Sequence, residues 1–454
     1  MKIHQAMARS PRLLPRLLPS LLLAVLLVPA LLLAALLAAC MLPRGAPLLA
    51  AEDHPGPPPT ANSRLSANEL QARGAYLARA GNCMTCHTAT GGQPYAGGRV
   101  LVTPFGAFVT PNLTPDAATG LGQWSADDFW RALHHGVGRD GRLLYPAFPY
   151  PSYTRITRAD ADALYAWLRT VAAVHRPRTA HRLRFPYTQQ WALAAWRALY
   201  FRPGVYQADA QQSVEWNRGA YLVGGLGHCS ACHSPRNALG ASSNALSGAM
   251  VPGQDWYAPA LDAAHEAGVA DWPAAHVTSL LKTGISPTAT VTGPMADVVR
   301  DSLQYLNDAD IAAMGVYLRT LPPATQQQSR AQTQTYDSPQ ARAFLAAGAR
   351  VYERHCIDCH GADGRGQPPH YPPLAGNRAL TMSSAVNPIR IILNGGFAPA
   401  TAGNPRPYSM PPYSHVLDDT QVAQLLSYLR SAWGNHAAPV TAREVNRHRA
   451  VPVE

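Results

Sequence analysis

The sequence predicts an all-α protein in which three small helical domains follow one another along the chain. Three observations predict this fold class. The chain has 454 residues, which suggests about three domains, and its 47% hydrophobic and 14% charged residues exclude a coiled coil and a charge-rich disordered protein. The motif Cys-x-x-Cys-His occurs three times. Each copy lies between similar flanking segments, which indicates three copies of one structural unit.

Each motif predicts the covalent attachment of one haem. Two thiols three positions apart add to the two vinyl groups of a haem, and the next residue directs its imidazole at the iron. Zinc sites, redox-active dithiols and structural disulfides also use pairs of cysteines, but none of them requires a histidine directly after the second cysteine. The sequence therefore predicts three covalently bound c-type haems (haem c). The attaching cysteines are Cys83, Cys86, Cys229, Cys232, Cys356 and Cys359, and the iron ligands are His87, His233 and His360.

A helix before each motif and further helices after it complete each predicted unit. The upstream segments share a glycine, at Gly74, Gly219 and Gly348, which lies 9, 10 and 8 residues before the first cysteine. A middle helix is predicted at 124–136 and at 272–284, with a looser counterpart that ends at Gly395. The last helices end near Trp167, Tyr317 and Tyr428, and their starts carry residues suited to a helix N-terminus: Thr157 and Asp160, Asn307 and Asp308, Asp418 and Asp419.

Composition places the boundaries between these units. Residues 322–339 have no regular apolar period, which is typical of a connector between domains. Residues 201–214 form a shorter connector of the same kind. The predicted order is an export segment (1–40), a linker (41–68), the first haem domain (69–200), a linker (201–215), the second haem domain (216–322), a linker (323–340), the third haem domain (341–433) and a trailing tail (434–454).

The N-terminal segment predicts export from the cytoplasm. Four positive charges in residues 1–16 precede an uncharged apolar stretch at 17–43. A Leu, two Ala residues and Cys40 end this stretch and resemble the lipobox at which bacterial lipoproteins are cut and acylated. An uncut membrane anchor, or cleavage near residue 50 with release, are the alternatives. In the first two cases the chain is tethered to the membrane with its bulk outside.

The charge of the chain does not indicate a nucleic-acid partner. The first fifty residues hold five positive and no negative side chains, which leaves +6 of the formal net charge of +11 for the rest. No basic run carries the aromatic or groove-binding pattern of a nucleic-acid module. We therefore expect no nucleic acid among the partners, and the basic N-terminus belongs to the export segment.

Two methionines are the predicted second axial ligands of the second and third haems. A c-type haem commonly takes a Met thioether on the face opposite the histidine, and this ligand raises the reduction potential. Met295 lies 62 residues after His233, and Met410 lies 50 residues after His360. Both are predicted to lie in a Pro-containing loop before the last helix.

The first domain lacks such a methionine. The corresponding position, 61 residues after His87, is Phe148, and no Met occurs between residues 84 and 250. The candidates for a sixth ligand of the first haem are His134 and His135, and the alternative is an open site capped by the Phe ring. A His ligand lowers the potential of this haem relative to the other two, whereas an open position leaves its iron high-spin.

From about residue 70 to residue 432 the chain resembles the three-haem cytochrome c subunits of bacterial membrane-bound periplasmic dehydrogenases. The resemblance rests on FGAFVTPNLTPDAATGLGQWS and LLYPAFPYPSYTRIT, on EWNRGAYLVGGLGHCSACHSPRNALGA and GPMADVV, and on CIDCHGADGRGQP and YSMPPY. It implies three class I cytochrome c domains in tandem without substrate chemistry of their own. The alcohol dehydrogenase branch has Met where this chain has Phe148.

This resemblance implies partners and a location. Its members accept electrons from a dehydrogenase catalytic subunit of the PQQ, FAD or molybdenum type and pass them to ubiquinone or another acceptor such as a terminal oxidase. The expected location is the periplasmic side of the bacterial cytoplasmic membrane, with an N-terminal lipid or signal anchor. The expected function is therefore that of an electron-transfer subunit.

An enzyme in its own right is the alternative function. In that case the first haem is five-coordinate and acts on peroxide or a small sulfur or nitrogen substrate, while the other two haems carry electrons. Phe148 motivates this alternative. The sequence contains no nucleophile elbow, dinucleotide fingerprint or P-loop, and its evident chemistry is the three redox centres.

Overall fold

The computed structural model describes residues 65–243, 245–322 and 338–451. The predicted export segment 1–40, with Cys40 and its alternative anchors, lies outside the described residues, as do most of the linkers 41–68 and 323–340. Within the described ranges, no helix is both long and apolar enough to span a bilayer.

Helices dominate the structure and fall into three groups, which we call the first repeat (65–213), the second repeat (214–322) and the third repeat (338–451). The first repeat holds α1 Ala67–Ala80, α2 Cys83–Cys86, α3 Ala126–His135, α4 Tyr150–Tyr153, α5 Arg158–Leu168 and α6 Gln190–Tyr200. The second holds α7 Val214–Tyr221, a π-helical turn Leu222–Leu226, α8 Ser230–His233, α9 Ala274–Thr283, α10 Pro294–Asp301, a 3₁₀ turn Leu303–Tyr305 and α11 Asp308–Arg319. The third holds α12 Pro339–His355, α13 Ile357–His360, α14 Arg378–Thr381, α15 Val386–Asn394, α16 Asp419–Leu429 and α17 Ala442–Arg449.

The predicted helix boundaries are confirmed at several ends. Thr157, Asn307 and Asp418 are the N-caps of the last helices, and each side chain accepts the backbone N–H of the third helical residue. The middle helices α3 and α9 end at glycines in the left-handed conformation, Gly136 and Gly284. The local signals therefore define where these helices begin and end.

In each repeat, the helix before the motif crosses the last helix at a glycine. A Cβ atom on Gly74 would lie 2.0 Å from the carbonyl oxygen of Ala163, and one on Gly219 would lie 2.0 Å from that of Ala313. In the third repeat a Cβ on Gly348 would lie 2.1 Å from the carbonyl oxygen of Gln424. The shared glycine thus allows the two helix backbones to approach closely.

Short antiparallel strands in the connections add to the predicted all-α fold. Each has only two to five residues, too few for the sequence to show a strand period. Leu101 lies opposite Phe108 in the sheet β1–β2–β3, and Met250 lies opposite Tyr257 in the longest hairpin. The strands are β1 Val100–Thr103, β2 Gly106–Val109, β3 Arg182–Leu183, β4 Ser247–Val251, β5 Trp256–Ala260, β6 Ile285–Ser286, β7 Ala289–Thr290, β8 Gly396–Phe397 and β9 Ser409–Met410.

The first and second repeats share one hydrophobic core, whereas the third has its own. Ile156 from the first repeat and Leu222 and Leu226 from the second are almost fully buried within the shared core. Leu393 and Leu426 lie in the core of the third repeat. The first two repeats therefore bury their apolar side chains in one continuous core and are not two separately packed domains.

The C-terminal segment 434–454, predicted to be a trailing tail, is folded over most of its length. Thr441 and Glu444 form a capping box at the start of α17. Val445 is fully buried in the core of the third repeat, and Arg449 pairs with Asp419 at 2.6 Å. The prediction of a tail is therefore wrong, because one buried side chain and a capped start fix this polar helix to the third repeat.

Candidate functional site

The three motif histidines have the same hydrogen bond. The Nδ1 atom of His87 lies 2.9 Å from the carbonyl oxygen of Pro111, that of His233 lies 2.7 Å from Pro259, and that of His360 lies 3.0 Å from Pro372. Because a carbonyl oxygen only accepts, Nδ1 carries the proton in all three. The lone pair of Nε2 is then free to bind a metal, and the ring orientation is fixed.

The environment of these histidines also suits an iron ligand. Desolvation by the surrounding protein lowers the pKa of His87, His233 and His360, and the hydrogen bond to the proline carbonyl opposes this shift without reversing it. Each imidazole is therefore neutral at pH 7. Metal binding requires the neutral form.

The six motif cysteines are all unpaired in the structure. Burial raises the pKa of the Cys83, Cys229 and Cys356 thiols to about 12. Redox-active dithiols require the opposite shift, so this environment does not fit them. In the part of the chain that the structure describes, no three His, Cys, Asp or Glu residues come together as a metal site. Two unpaired thiols beside one oriented histidine fit a haem.

The local backbone explains why cysteines and histidine lie together. Each motif forms a single helical turn in which the histidine N–H donates to the carbonyl of the first cysteine: His87 to Cys83 at 3.0 Å, His233 to Cys229 at 2.9 Å and His360 to Cys356 at 3.0 Å. The residues before the first two turns, Asn82 and His228, are left-handed, with φ of 50° and 35°. This sharp entry follows directly after the upstream helix.

Met410 lies in β9, opposite Gly396, and packs against the core of the third repeat. Three residues later, Tyr413 donates a hydrogen bond to the carbonyl oxygen of His355 at 2.9 Å, beside the third motif. The segment that carries Met410 therefore lies against the third motif, although Met410 itself lies in a short strand and not in the predicted loop.

Met295 lies in the first turn of α10 and not in a loop, so that part of the prediction is wrong. Pro294 occupies the first turn as well, where its missing N–H costs nothing, and Gly293 supplies the preceding turn with a φ of 54°. Met295 is partly buried against the shared core. The helix fixes the position of this side chain more firmly than a loop would.

Phe148 is partly buried against the same core, and its ring centroid lies 5.4 Å from that of Tyr153. The hydroxyl of Tyr153 donates to the carbonyl oxygen of Gly81 at 3.1 Å, two residues before Cys83. Phe148 thus belongs to the group of side chains beside the first motif.

The two histidine candidates differ in their surroundings. His134 is 8% exposed, its ring stacks on Trp130 at 4.4 Å, and its Nδ1 lies 3.4 Å from Oγ1 of Thr154. His135 is exposed, and its carbonyl accepts from Arg197. At the position in α9 that corresponds to His134, Lys282 contacts Asp308 at the start of the last helix. In the second repeat this end of the middle helix thus packs near the start of the last helix.

The motifs of the first and second repeats lie against each other. The Oγ1 atom of Thr85, inside the first motif, lies 3.2 Å from Oδ2 of Asp301 in α10. The ring of His228, directly before the second motif, lies 5.6 Å from that of Tyr153. The two candidate haem sites are therefore neighbours.

The third repeat contacts the second near Pro259, the partner of His233. Backbone N–H and C=O of Tyr257 both bond to the side-chain amide of Asn387, at 2.9 and 2.7 Å. Asp255 accepts from Arg390 at 3.1 Å and lies 2.7 Å from Nδ1 of His448. The third repeat is thereby attached to the second repeat through α15 and α17.

The proline partners of the histidines were not predicted. They lie 24, 26 and 12 residues after the histidine, so no fixed spacing reveals them. The three prolines share only their place in the repeat, which is the segment between the motif and the middle helix.

Comparison with known proteins gives consistent matches. The cytochrome c family, described as "Cytochrome c", matches residues 71–172 and 345–433. A nicotinate dehydrogenase subunit of Pseudomonas putida is 42% identical over 84% of this chain, which spans only 31% of that protein. The cytochrome c subunit of alcohol dehydrogenase (quinone) of Gluconacetobacter polyoxogenes is 37% identical over 84% of each chain. The gluconate 2-dehydrogenase cytochrome c subunit of Pantoea cypripedii is 39% identical over 83% of this chain and 88% of its own length.

Proposed function

We propose a role for this chain from the premise that it belongs to the family of cytochrome c subunits of dehydrogenases. It is an electron-transfer subunit of such a complex, and the oxidation of substrate takes place in another subunit. The relatives do not support the alternative of an enzyme acting on peroxide or on a small sulfur or nitrogen substrate.

We assign one haem c to each of the three motifs. The observation that carries this assignment is the hydrogen bond from Nδ1 of each motif histidine to a proline carbonyl, which recurs in all three repeats. The two cysteines of each motif would form the thioethers, and Nε2 of the histidine would bind the iron. When bound, each haem supplies a centre that takes up and releases one electron.

The distal side differs between the repeats. Met295 and Met410 would bind iron in the second and third repeats, where both are partly buried beside the core. In the first repeat, the contacts of His134 with Trp130 and Thr154 account for its burial without a metal. We therefore favour an iron without a protein ligand on that side, capped by Phe148.

The contacts between repeats support a linear path from first to third or in reverse. Thr85 and Asp301 connect the first motif to α10 of the second repeat at 3.2 Å. Tyr257 and Asn387 connect the second repeat to α15 of the third. Electron transfer requires short gaps, and these contacts hold the second repeat directly against both the first and the third repeat.

The partner would be a periplasmic dehydrogenase catalytic subunit that carries PQQ, FAD or molybdenum. The acceptor would be ubiquinone or a terminal oxidase. The chain would lie on the periplasmic side of the cytoplasmic membrane, held by an N-terminal lipid or signal anchor. These assignments rest on the family and on the predicted export segment.

Purification of the tagged full chain from membranes tests the proposal. We expect three haems per chain by the pyridine haemochrome assay and a copurifying subunit whose cofactor identifies the dehydrogenase class. Addition of that subunit's substrate should reduce the haems of the complex. The chain separated from its partner should show no reduction with the same substrate. Two haems per chain, or substrate-dependent reduction of the separated chain, would contradict the proposal.

A further inference from the structure

The outward face of α6 is apolar although it faces solvent. Trp191 and Leu199 are 63% and 67% exposed, and the alanines between them on this face, Ala194, Ala195 and Ala198, are exposed as well. Ordinary surface helices carry polar residues there. An apolar face of this kind indicates that something covers it in the functional protein.

The opposite face of α6 attaches the helix to the rest of the protein through one buried side chain and two hydrogen-bonding side chains. Leu193 is 6% exposed, the indole N–H of Trp196 donates to the carbonyl of Leu239 at 2.9 Å, and Arg197 donates to the carbonyl of His135 at 2.5 Å. The helix is therefore fixed by both the first and the second repeat. Its exposed face is a property of the folded protein and does not result from loose packing.

The chain around α6 is basic and contains no acid. Residues 163–208 include seven arginines and neither Asp nor Glu. Arg178, Arg182 and Arg184 precede α6 and are exposed, and Phe185 beside them is 78% exposed. The surface thus combines cationic side chains with an exposed aromatic ring next to an apolar helix face.

We infer that α6 and the segment 178–186 bind the surface of an anionic lipid bilayer. The apolar face of α6 lies in the boundary between headgroups and acyl chains, and Arg178, Arg182 and Arg184 contact lipid phosphates. Trp191 and Tyr200, which is 40% exposed, suit this depth because their rings are amphipathic. This inference rests on the proposed membrane-side location and adds a second contact that is independent of the N-terminal anchor.

Charge complementarity favours a bilayer over a protein partner. A protein interface centred on an apolar helix depletes charge at its core and has a polar rim, whereas an anionic bilayer specifically attracts clustered arginines. Here the charged side chains of residues 163–208, a segment that includes α6, are all arginines. The outward face of α6 carries no polar side chain between Trp191 and Leu199. A uniformly anionic surface with an apolar interior matches both features.

Spin labelling of the full haem-bearing chain tests the inference. A nitroxide is attached at Leu199→Cys, and a matched label is placed at Val416→Cys, which is 55% exposed in the third repeat. Both proteins are reconstituted in vesicles of phosphatidylglycerol and phosphatidylethanolamine, and the accessibility of each label to oxygen and to a water-soluble nickel chelate is measured. The unsubstituted chain gives the background from Cys40.

We expect the label at 199 to be accessible to oxygen and protected from nickel, while the label at 416 stays accessible to nickel. Replacement of Arg182 and Arg184 by Gln should lower the ratio of lipid-inserted to free label at 199 about thirtyfold. Equal nickel accessibility at both sites would overturn the inference. Protection at 199 that requires the dehydrogenase subunit in place of anionic lipid would also overturn it. Neither readout involves electron transfer, so failure here leaves the proposed function intact.

Discussion

The hydroxyl of Tyr76, in α1 of the first repeat, donates a hydrogen bond of 2.6 Å to Oδ2 of Asp310, in α11 of the second repeat. The reverse contact is also present, because the hydroxyl of Tyr221 in α7 donates to Oδ2 of Asp160 in α5 at 2.6 Å. Each repeat thus supplies a tyrosine to the last helix of the other. The two repeats are therefore joined by a pair of equivalent tyrosine–aspartate hydrogen bonds, one in each direction.

Each aspartate also pairs with an arginine of its own repeat. Arg218 contacts both oxygens of Asp310 at 2.7 Å, and Arg73 contacts Asp160 at 2.5 Å. Arginine and tyrosine come from the string Arg-Gly-Ala-Tyr, which occurs in both repeats and surrounds the glycine at the helix crossing. The third repeat has Ala-Gly-Ala-Arg at this place, so it has no tyrosine that could form the corresponding hydrogen bond.

Replacement of Tyr76 by Phe should destabilise the joined repeats by about 2 kcal/mol, because a hydrogen bond to a charged group is lost and the carboxylate stays buried. Burial and the bond to Asp310 raise the pKa of Tyr76, so the hydroxyl is a donor at neutral pH. Urea unfolding followed by circular dichroism measures the change. Tyr305→Phe is the control, since Tyr305 is 50% exposed and the ring that contacts Arg79 is kept. Equal stability of both variants would contradict the role of Tyr76.

The stability contributed by Asp310 should disappear in acid. Burial acts to raise the pKa of Asp310, but the hydrogen bonds from Arg218 and Tyr76 prevail and hold it below the ordinary value of 3.8. The contribution is therefore fully present above that value and is lost as the pH falls through the lower pKa of the folded state. Asp310→Asn should flatten the loss of stability in this range, whereas Asp271→Asn at an exposed carboxylate should not. Unfolding midpoints measured over a pH series below about 5 decide this.

The features that the sequence predicts are local. Motif spacing, N-caps such as Asn307 and the glycines that end the middle helices, such as Gly284, are encoded within a few residues, and these helix ends appear where expected. The Tyr76–Asp310 contact joins residues 234 positions apart, and no local pattern encodes such a pairing. The helix α17 is a different case. Its capping box from Thr441 to Glu444 is a local signal, but the polar composition of the segment obscures it.

Replacement of Gly348 by Ala should destabilise the third repeat by about 2 kcal/mol or more. Alanine normally favours a helix, but here its Cβ would lie 2.1 Å from the carbonyl of Gln424 and 2.9 Å from Cβ of Tyr428. The helices must separate to relieve this overlap. Gly204→Ala is the control, because a Cβ there meets nothing within 4 Å. A thermal midpoint for Gly348→Ala that equals the control would show that the crossing tolerates a side chain.

Removal of either proposed methionine ligand should lower the potential of one haem and leave the other two unchanged. The thioether favours ferrous iron, and Leu keeps the volume without the sulfur. Met410→Leu is compared with Met382→Leu, and Met295→Leu with Met314→Leu, since Met382 and Met314 are 4% and 3% exposed core residues of the same repeats. Potentiometric titration with visible spectroscopy gives the three potentials. A control variant that lowers a potential as much as its ligand variant would contradict the assignment.

Phe148→Met should add a ligand to the first haem. Along the sequence, Phe148 follows its motif histidine by 61 residues, and Met295 follows its own by 62. The ring of Phe148 lies beside Tyr153, next to the first motif. The expected result is the loss of the high-spin ferric signal in low-temperature electron paramagnetic resonance, together with a higher potential for one haem. Phe129→Met, at an 8% exposed position in α3, controls for the change in packing.

The unsubstituted chain already tests the premise of that experiment. If Phe148 caps an open iron, the oxidised protein shows one high-spin and two low-spin ferric haems. A spectrum with three low-spin haems would refute the open position, and His134→Ala should then create the missing high-spin signal. His135→Ala should not, because His135 is exposed while His134 is packed between Trp130 and Thr154. The pair of histidine variants therefore identifies the ligand in the case where the Phe148 proposal fails.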